Sequence, residues 1–208
     1  MGNHRTGIST PSPRGPAGMP SCRGRHICQV FTTGEERLAA LFDFIRTGLR
    51  LGEQTCCITQ KPTDEILDEF LADFGLSLNG VKSTGQFHSG INRDFYLAGG
   101  GFDQRRVLGQ WETMFAQARA RSAAGLCAVA EVLADLSYLK GGTQLTIYET
   151  QLEEWMQRRP VTIVCQYDAR AFDACTIMNV LKVHPLVLAN GRVAASPFYT
   201  AAERRKSH

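Results

Sequence analysis

The stretch from His26 to Thr59, HICQVFTTGEERLAALFDFIRTGLRLGEQTCCIT, constrains this chain most, because it reads as a complete strand–helix–strand unit. A short apolar run, Ile27 to Phe31, opens it, and a second run, Thr55 to Thr59, closes it. Between them apolar residues fall at Leu38, Leu41, Phe42, Ile45 and Leu49, the spacing of a helix with one buried face. Thr33 with Glu36 three residues on makes a capping box, and Gly48 and Gly52 bracket the helix end. A helical crossover of this length joins parallel strands, so the chain begins as an α/β protein.

The turn between that first strand and helix excludes one chemistry. A phosphate-binding P-loop needs GxxxxGK[ST], with backbone N–H groups around phosphate, a lysine to neutralise it and a hydroxyl for magnesium. Here the turn is Thr32-Thr33-Gly34-Glu35-Glu36-Arg37, with one glycine, no lysine and two carboxylates where an anion would sit. Those carboxylates suit the helix dipole and repel a triphosphate.

Further along, Lys61-Pro62-Thr63-Asp64 starts a second helix with Ile66, Leu67, Phe70, Leu71 and Phe74 on one face and Gly75 as its stop. Periodicity weakens from Ser77 to Gly101, with a short strand at Gln86 to His88 and a flexible Gly99-Gly100-Gly101 joint. A helix over about Phe102 to Ala124 precedes a buried strand, Leu126 to Val132. Another helix, Thr143 to Gln157, buries Leu145, Tyr148, Leu152 and Trp155 and leaves Glu149, Glu153 and Glu154 solvated. Val161 to Tyr167 is the clearest strand, β-branched as in the middle of a parallel sheet. Asp168 is expected to cap the next helix, and Asn190-Gly191 to turn a terminal hairpin between Leu186–Leu188 and Arg192–Ala194. The alternation predicts one three-layer α/β domain, Rossmann-like or RecA-like, with a mostly parallel sheet and helices on both faces. It spans residues 26–199, between a disordered tail, 1–25, and a basic tail, 200–208.

Of 208 residues, 23 are Lys or Arg and 20 Asp or Glu, and much of the net charge of +3 lies in the two tails, which argues against nucleic acid. No run of about 18 apolar residues and no apolar signal segment occurs, so neither membrane span nor secretion is expected. Seven cysteines, an odd number, fit buried reduced thiols in the cytoplasm better than a disulfide framework.

Six short pieces carry a resemblance. They are His26-Ile27-Cys28, Gly48-Leu49-x-x-Gly52-Glu53, Tyr148-Glu149, Cys165-Gln166-Tyr167-Asp168 with Phe172, His184-Pro185 and Ser196-Pro197-x-Tyr199. In this order, from His26 to Tyr199, the chain resembles the MEDS family, the methanogen/methylotroph sensory domain. The resemblance implies a degenerate P-loop fold of the RecA/KaiC branch without its ATPase motif, found in transcriptional regulators and signalling proteins and thought to detect small organic molecules. One departure stands at Glu131, which keeps the family's acidic residue after the fourth strand without the tryptophan that follows it.

Candidate site residues follow from position. Open parallel sheets bind ligands beyond the carboxyl ends of their strands. Phe31, Thr32, Glu131, Tyr167 and Asp168 stand at such ends, the rings offering an apolar wall and the carboxylates an orienting contact, while the plain readings are core aromatics and a helix cap. His26, Cys28, Cys165 and His184 are zinc-type ligands, but no two have zinc-finger spacing, so core packing is the preferred reading and no metal or other cofactor is expected. His184-Pro185 reads as a helix stop whose imidazole caps carbonyls, and Cys56-Cys57 as a pair pointing to opposite faces of a strand. The expected function is a non-catalytic sensory or regulatory domain that binds a small organic molecule or a regulatory protein partner, with no nucleic acid or membrane. The alternative is a P-loop-type nucleotide-binding or hydrolysing enzyme.

Overall fold

β1 (Arg25–Phe31) forms as the apolar run predicts, and the computed structural model, which describes residues 24–60, 64–136 and 143–200, places it inside the sheet. Both tails, apart from Gly24, Arg25 and Thr200, and the Lys61 to Thr63 helix start lie outside the described residues. α1 (Gly34–Arg50) starts with both halves of the predicted capping box, Thr33 Oγ1 accepting from the Glu36 N–H and the Glu36 carboxylate from the Thr33 N–H. Gly52, at φ +73, turns the chain out of α1 into β2 (Gln54–Thr59).

α1 buries Ala40, Leu41, Phe44, Ile45, Gly48 and Leu49, so its inner face is rotated from the predicted stripe. Leu38 and Phe42 are half-buried because Phe42 faces sideways, stacking on Phe70 of α2 (Asp64–Ala72) with ring centroids 4.4 Å apart. Ile66 and Phe74, predicted on the buried face of α2, are exposed. The weakly periodic stretch resolves into α3 (Leu78–Ser83), β3 (Phe87–Ile91), α4 (Asn92–Leu97) and a 3-10 turn at Ala98–Gly100. α5 (Gln104–Ala120) is shorter than predicted at both ends: Asp103 caps its start through the Arg105 and Arg106 N–H groups, and Ser122, at φ 57, turns the chain out of its end.

β4 (Leu126–Glu131), α6 (Thr143–Met156) and β5 (Val161–Asp168) follow the prediction closely. The cap of α7 (Ala174–Val183) does not: it is Asp173, whereas the Asp168 carboxylate is taken by the backbone and guanidinium of Arg170. β6 (Leu186–Ala189) and β7 (Arg192–Ala195) pair antiparallel around Asn190 at φ 51 and Gly191 at φ 70, the two left-handed positions a type I′ hairpin turn requires.

Among the described residues the strands form one sheet in the order β3-β2-β4-β5-β1-β6-β7, parallel except for the last pair. α1 runs from β1 across β4 to reach β2, while β5 and β6 flank β1. α1, α2 and α3 cover one face around Leu41, Ile45, Leu67 and Val164, and α4 to α7 cover the other around Trp111, Tyr148, Leu152 and Ile163. Side-chain alternation divides β1 between the layers: Ile27 packs in the first, Cys28 in the second. No described helix is long and apolar enough to cross a membrane.

Candidate functional site

Strand order puts the carboxyl ends of β2, β4, β5 and β1 side by side. At this edge the Glu131 Oε2 accepts the Gln60 N–H at 3.1 Å and lies 3.4 Å from Arg37 Nη1, tying the end of β4 to the first turns of α1 and to the end of β2. Phe31 is buried, Thr32 is exposed, and Asp168 is held below the usual carboxylate range by its hydrogen bonds to Arg170. Tyr167 does not reach the edge: it is fully buried in the layer of α6 and α7. The structure therefore separates Tyr167 from the other four residues predicted with it.

The turn after β1 has its own anion. Glu36 Oε2 accepts from the Thr32 N–H at 2.8 Å, the Thr32 hydroxyl at 3.0 Å and the Thr33 N–H at 3.3 Å. Those bonds, the Thr32 N–H first, hold the Glu36 carboxyl below its usual range. The Thr32 and Thr33 N–H groups, which open this turn, are thereby taken by the chain's own carboxylate, and an anion arriving there would meet that charge. Beside it, a cavity of about 330 Å³ opens between α1 and the terminal hairpin, lined by Gln29, Glu36, Asp43, Phe44, Leu188 and Arg192 among others. None of the five predicted ligand residues lines it.

On the opposite face of the sheet lies a buried polar cluster. His26 of β1 and Cys165 of β5 point into the same layer on adjacent strands, α6 brings Glu149 and Glu153 down onto them, and the residue after α7, His184, closes the group. His26 Nε2 is 3.1 Å from Glu149 Oε2 and 3.5 Å from Cys165 Sγ, and His26 Nδ1 is 3.4 Å from Glu153 Oε2. Glu149 Oε1 accepts the Tyr167 hydroxyl at 2.7 Å. The His184 ring stacks at a tilt on His26, centroids 3.8 Å apart, and its Nε2 is 3.7 Å from Glu149 Oε2.

Burial alone would strip charge from this cluster, yet His26 and Glu149 resist. For His26, desolvation lowers the pKa, but hydrogen bonds and charges from Glu149 and Glu153 outweigh it and raise the value. Glu149 is likewise desolvated, and the His26 hydrogen bond, the His184 and His26 charges and the Tyr167 hydroxyl bring it below its usual range. His184 goes the other way: burial and the neighbouring His26 charge depress it to about 3, so it is neutral. Burial, reinforced by Glu149, pushes the Cys165 thiol well above its usual range.

Three of the four ligand-type residues singled out in the sequence, His26, Cys165 and His184, thus meet, and the fourth, Cys28, lies beside them as the register partner of Cys165 on β1. The helix-stop reading of His184 also holds, its Nδ1 lying 2.7 Å from the Val180 carbonyl. Cys56 and Cys57 pack in opposite layers, as the strand alternation predicts.

The expected solvation of Glu149 and Glu153 is wrong, because both lie on the face of α6 that packs against the sheet. Their signal was positional. Leu145, Tyr148, Glu149, Leu152, Glu153 and Met156 share one helical stripe, and a carboxylate inside an apolar stripe must find a buried partner.

The comparisons agree with this architecture. No curated protein matches the chain by sequence. Among solved structures, the KaiC-like protein PH0186 of the hyperthermophilic archaeon Pyrococcus horikoshii OT3 superposes with a TM-score of 0.55 at 15% identity, over 79% of this chain and 70% of that one. The flagellar accessory protein FlaH of Methanocaldococcus jannaschii superposes with a TM-score of 0.55 at 8% identity, over 86% of this chain and 78% of that one. At such identities the likeness shows the RecA/KaiC-like fold alone. The family described as MEDS, "MEthanogen/methylotroph, DcmR Sensory domain", matches residues 25–185, from the first strand to the proline after the buried histidine, and the chain belongs to that sensory-domain family.

Proposed function

We propose that this MEDS domain is a non-catalytic sensory module of signalling or transcriptional control that binds a small organic molecule and passes the state on to a regulatory protein partner. The observation that carries this reading is the Glu36 carboxylate on the Thr32 and Thr33 donors, which occupies with the domain's own charge the turn where a nucleotide enzyme of this fold would hold phosphate. The cavity beside Glu36, of about 330 Å³, is of the size that small-molecule sites have and is lined by both apolar and polar groups. Phe31, Thr32, Glu131 and Asp168 form the adjoining strand-end edge, where a ligand or partner would sense the position of α1 through the Arg37–Glu131 contact. The buried thiols at Cys28, Cys56 and Cys165 support a reducing, cytoplasmic setting.

Calorimetric titration with magnesium–ATP tests the non-nucleotide part of this reading, and no binding in the micromolar range is expected. Micromolar affinity that is lost in Gly34→Val, a site with nothing within 4 Å of an added Cβ, would favour the nucleotide-enzyme alternative. Native mass spectrometry of the purified chain would show a retained organic ligand directly, and Arg192→Glu in the cavity wall should reduce its occupancy.

A further inference from the structure

We propose that His26, Glu149, Cys165 and His184 form a closed, tetrahedral, mononuclear metal centre that takes a divalent cation of the zinc class. One ligand atom from each lies within 4.8 Å of all the others. A tetrahedral zinc ion with Zn–N and Zn–O near 2.0–2.1 Å and Zn–S near 2.3 Å sets its ligand atoms about 3.3–3.6 Å apart. The observed separations straddle that range: 3.1 Å from His26 Nε2 to Glu149 Oε2, 3.5 Å from His26 Nε2 to Cys165 Sγ, and 3.7 Å from Glu149 Oε2 both to Cys165 Sγ and to His184 Nε2.

The tautomer of His184 is the second observation. A carbonyl oxygen only accepts, so the Val180 contact at 2.7 Å fixes the hydrogen on Nδ1 and leaves the Nε2 lone pair aimed into the cluster. That nitrogen is wholly buried, has no hydrogen-bond partner and faces the Glu149 carboxylate, an acceptor. Two acceptors turned toward one another in a dry interior repel, and a cation between them removes the repulsion.

The groups around the four ligands are those that orient metal ligands. The Glu153 carboxylate lies at His26 Nδ1, the Val180 carbonyl at His184 Nδ1, and the Tyr167 hydroxyl at the free oxygen of Glu149. One thiolate and one carboxylate among the four ligands balance a dication, which removes most of the cost of burying either charge alone. With four protein ligands and none of them solvent-exposed, no coordination position is left for water or substrate, so the role is structural or regulatory rather than hydrolytic. The ion would join β1 and β5 to α6 and the end of α7, locking the second helical layer to the sheet. This goes beyond the proposed sensory role and does not depend on a ligand at the Glu36 cavity.

The test uses the untagged full chain. Elemental analysis of protein expressed with zinc is expected to find about one equivalent per chain. After stripping and reconstitution with cobalt(II), the visible spectrum should show the intense bands of tetrahedral cobalt and a near-ultraviolet thiolate-to-cobalt band. Cys165→Ser should abolish the thiolate band and His184→Ala the stoichiometric binding, while Cys28→Ser keeps both. Substoichiometric zinc together with no thiolate–cobalt band in the wild-type chain overturns the proposal whether or not the variants fold. A thiolate band that survives Cys165→Ser, or disappears in a folded Cys28→Ser, overturns the ligand assignment.

Discussion

Tyr167, near the carboxyl end of β5, donates its hydroxyl to Glu149 Oε1 on α6 across 2.7 Å, with both side chains removed from solvent. This bond satisfies one oxygen of a buried carboxylate, and the ring that carries it packs edge-on against Phe172 at 5.3 Å and His184 at 6.0 Å. Tyr167→Phe keeps the packing and removes the donor, so it should cost about 2 kcal/mol, the usual range for losing a hydrogen bond to a buried charge. Tyr167→Ala adds a cavity and should cost about 3–5 kcal/mol. Urea unfolding of the two variants against the wild type reads both numbers, and equal, small losses would show that Tyr167 stands in solvent rather than in the cluster.

Gly48 and Gly34 both lie in α1 but should respond differently to a methyl group. A Cβ on Gly48 would come within 2.5 Å of Thr55 Cγ2 and 3.0 Å of Cys127 Cβ, so the close approach of α1 to β2 and β4 depends on this glycine. Gly48→Ala is expected to destabilise by about 1–3 kcal/mol through overpacking. Gly34→Ala, with open space around its Cβ, should be neutral or slightly stabilising. Thermal melts of the pair, measured together, separate the steric effect from helix propensity.

Val164→Asp should abolish cooperative folding. Val164 is buried at the centre of β5 against the α1 layer, and the substitution places there a charge with no partner. Ionised burial of that kind costs several kcal/mol, comparable with the whole stability of a domain. A soluble variant with a sharp thermal transition near that of the wild type would contradict the assignment of β5 to the sheet interior.

Glu36 gives stability a pH signature. Its pKa is lowered in the folded chain by the Thr32 and Thr33 donors, so its contribution is present above the unfolded carboxylate value and is lost as pH falls through the folded one. Glu36→Gln should therefore be less stable than the wild type at neutral pH, and the difference should shrink to nothing in acid. Denaturant midpoints for both chains across that range make the comparison, and a gap that persists in acid would mean the side chain acts by shape alone.

Local pattern was enough for much of the architecture. The capping box at Thr33 and Glu36, the buried run of β5 and the Asn190-Gly191 turn depend on residues a few positions apart, whose spacing and backbone preferences can be read directly. The missing phosphate loop was legible for the same reason, since that chemistry needs its residues within one turn. The sequence by itself thus determined the α/β class and the order of its longer elements, but not the short helices α3 and α4 in the weakly periodic stretch. Tertiary structure decided which residues meet. His26 reaches Glu149 across 123 positions and Cys165 across 139, because the parallel register of β1 on β5 and the seating of α6 above them bring together side chains with no local relation. Glu149 and Glu153 look like solvated charges until the face of α6 that carries them is set against β1, and charge is held in the interior only because His26 and Tyr167 are already there.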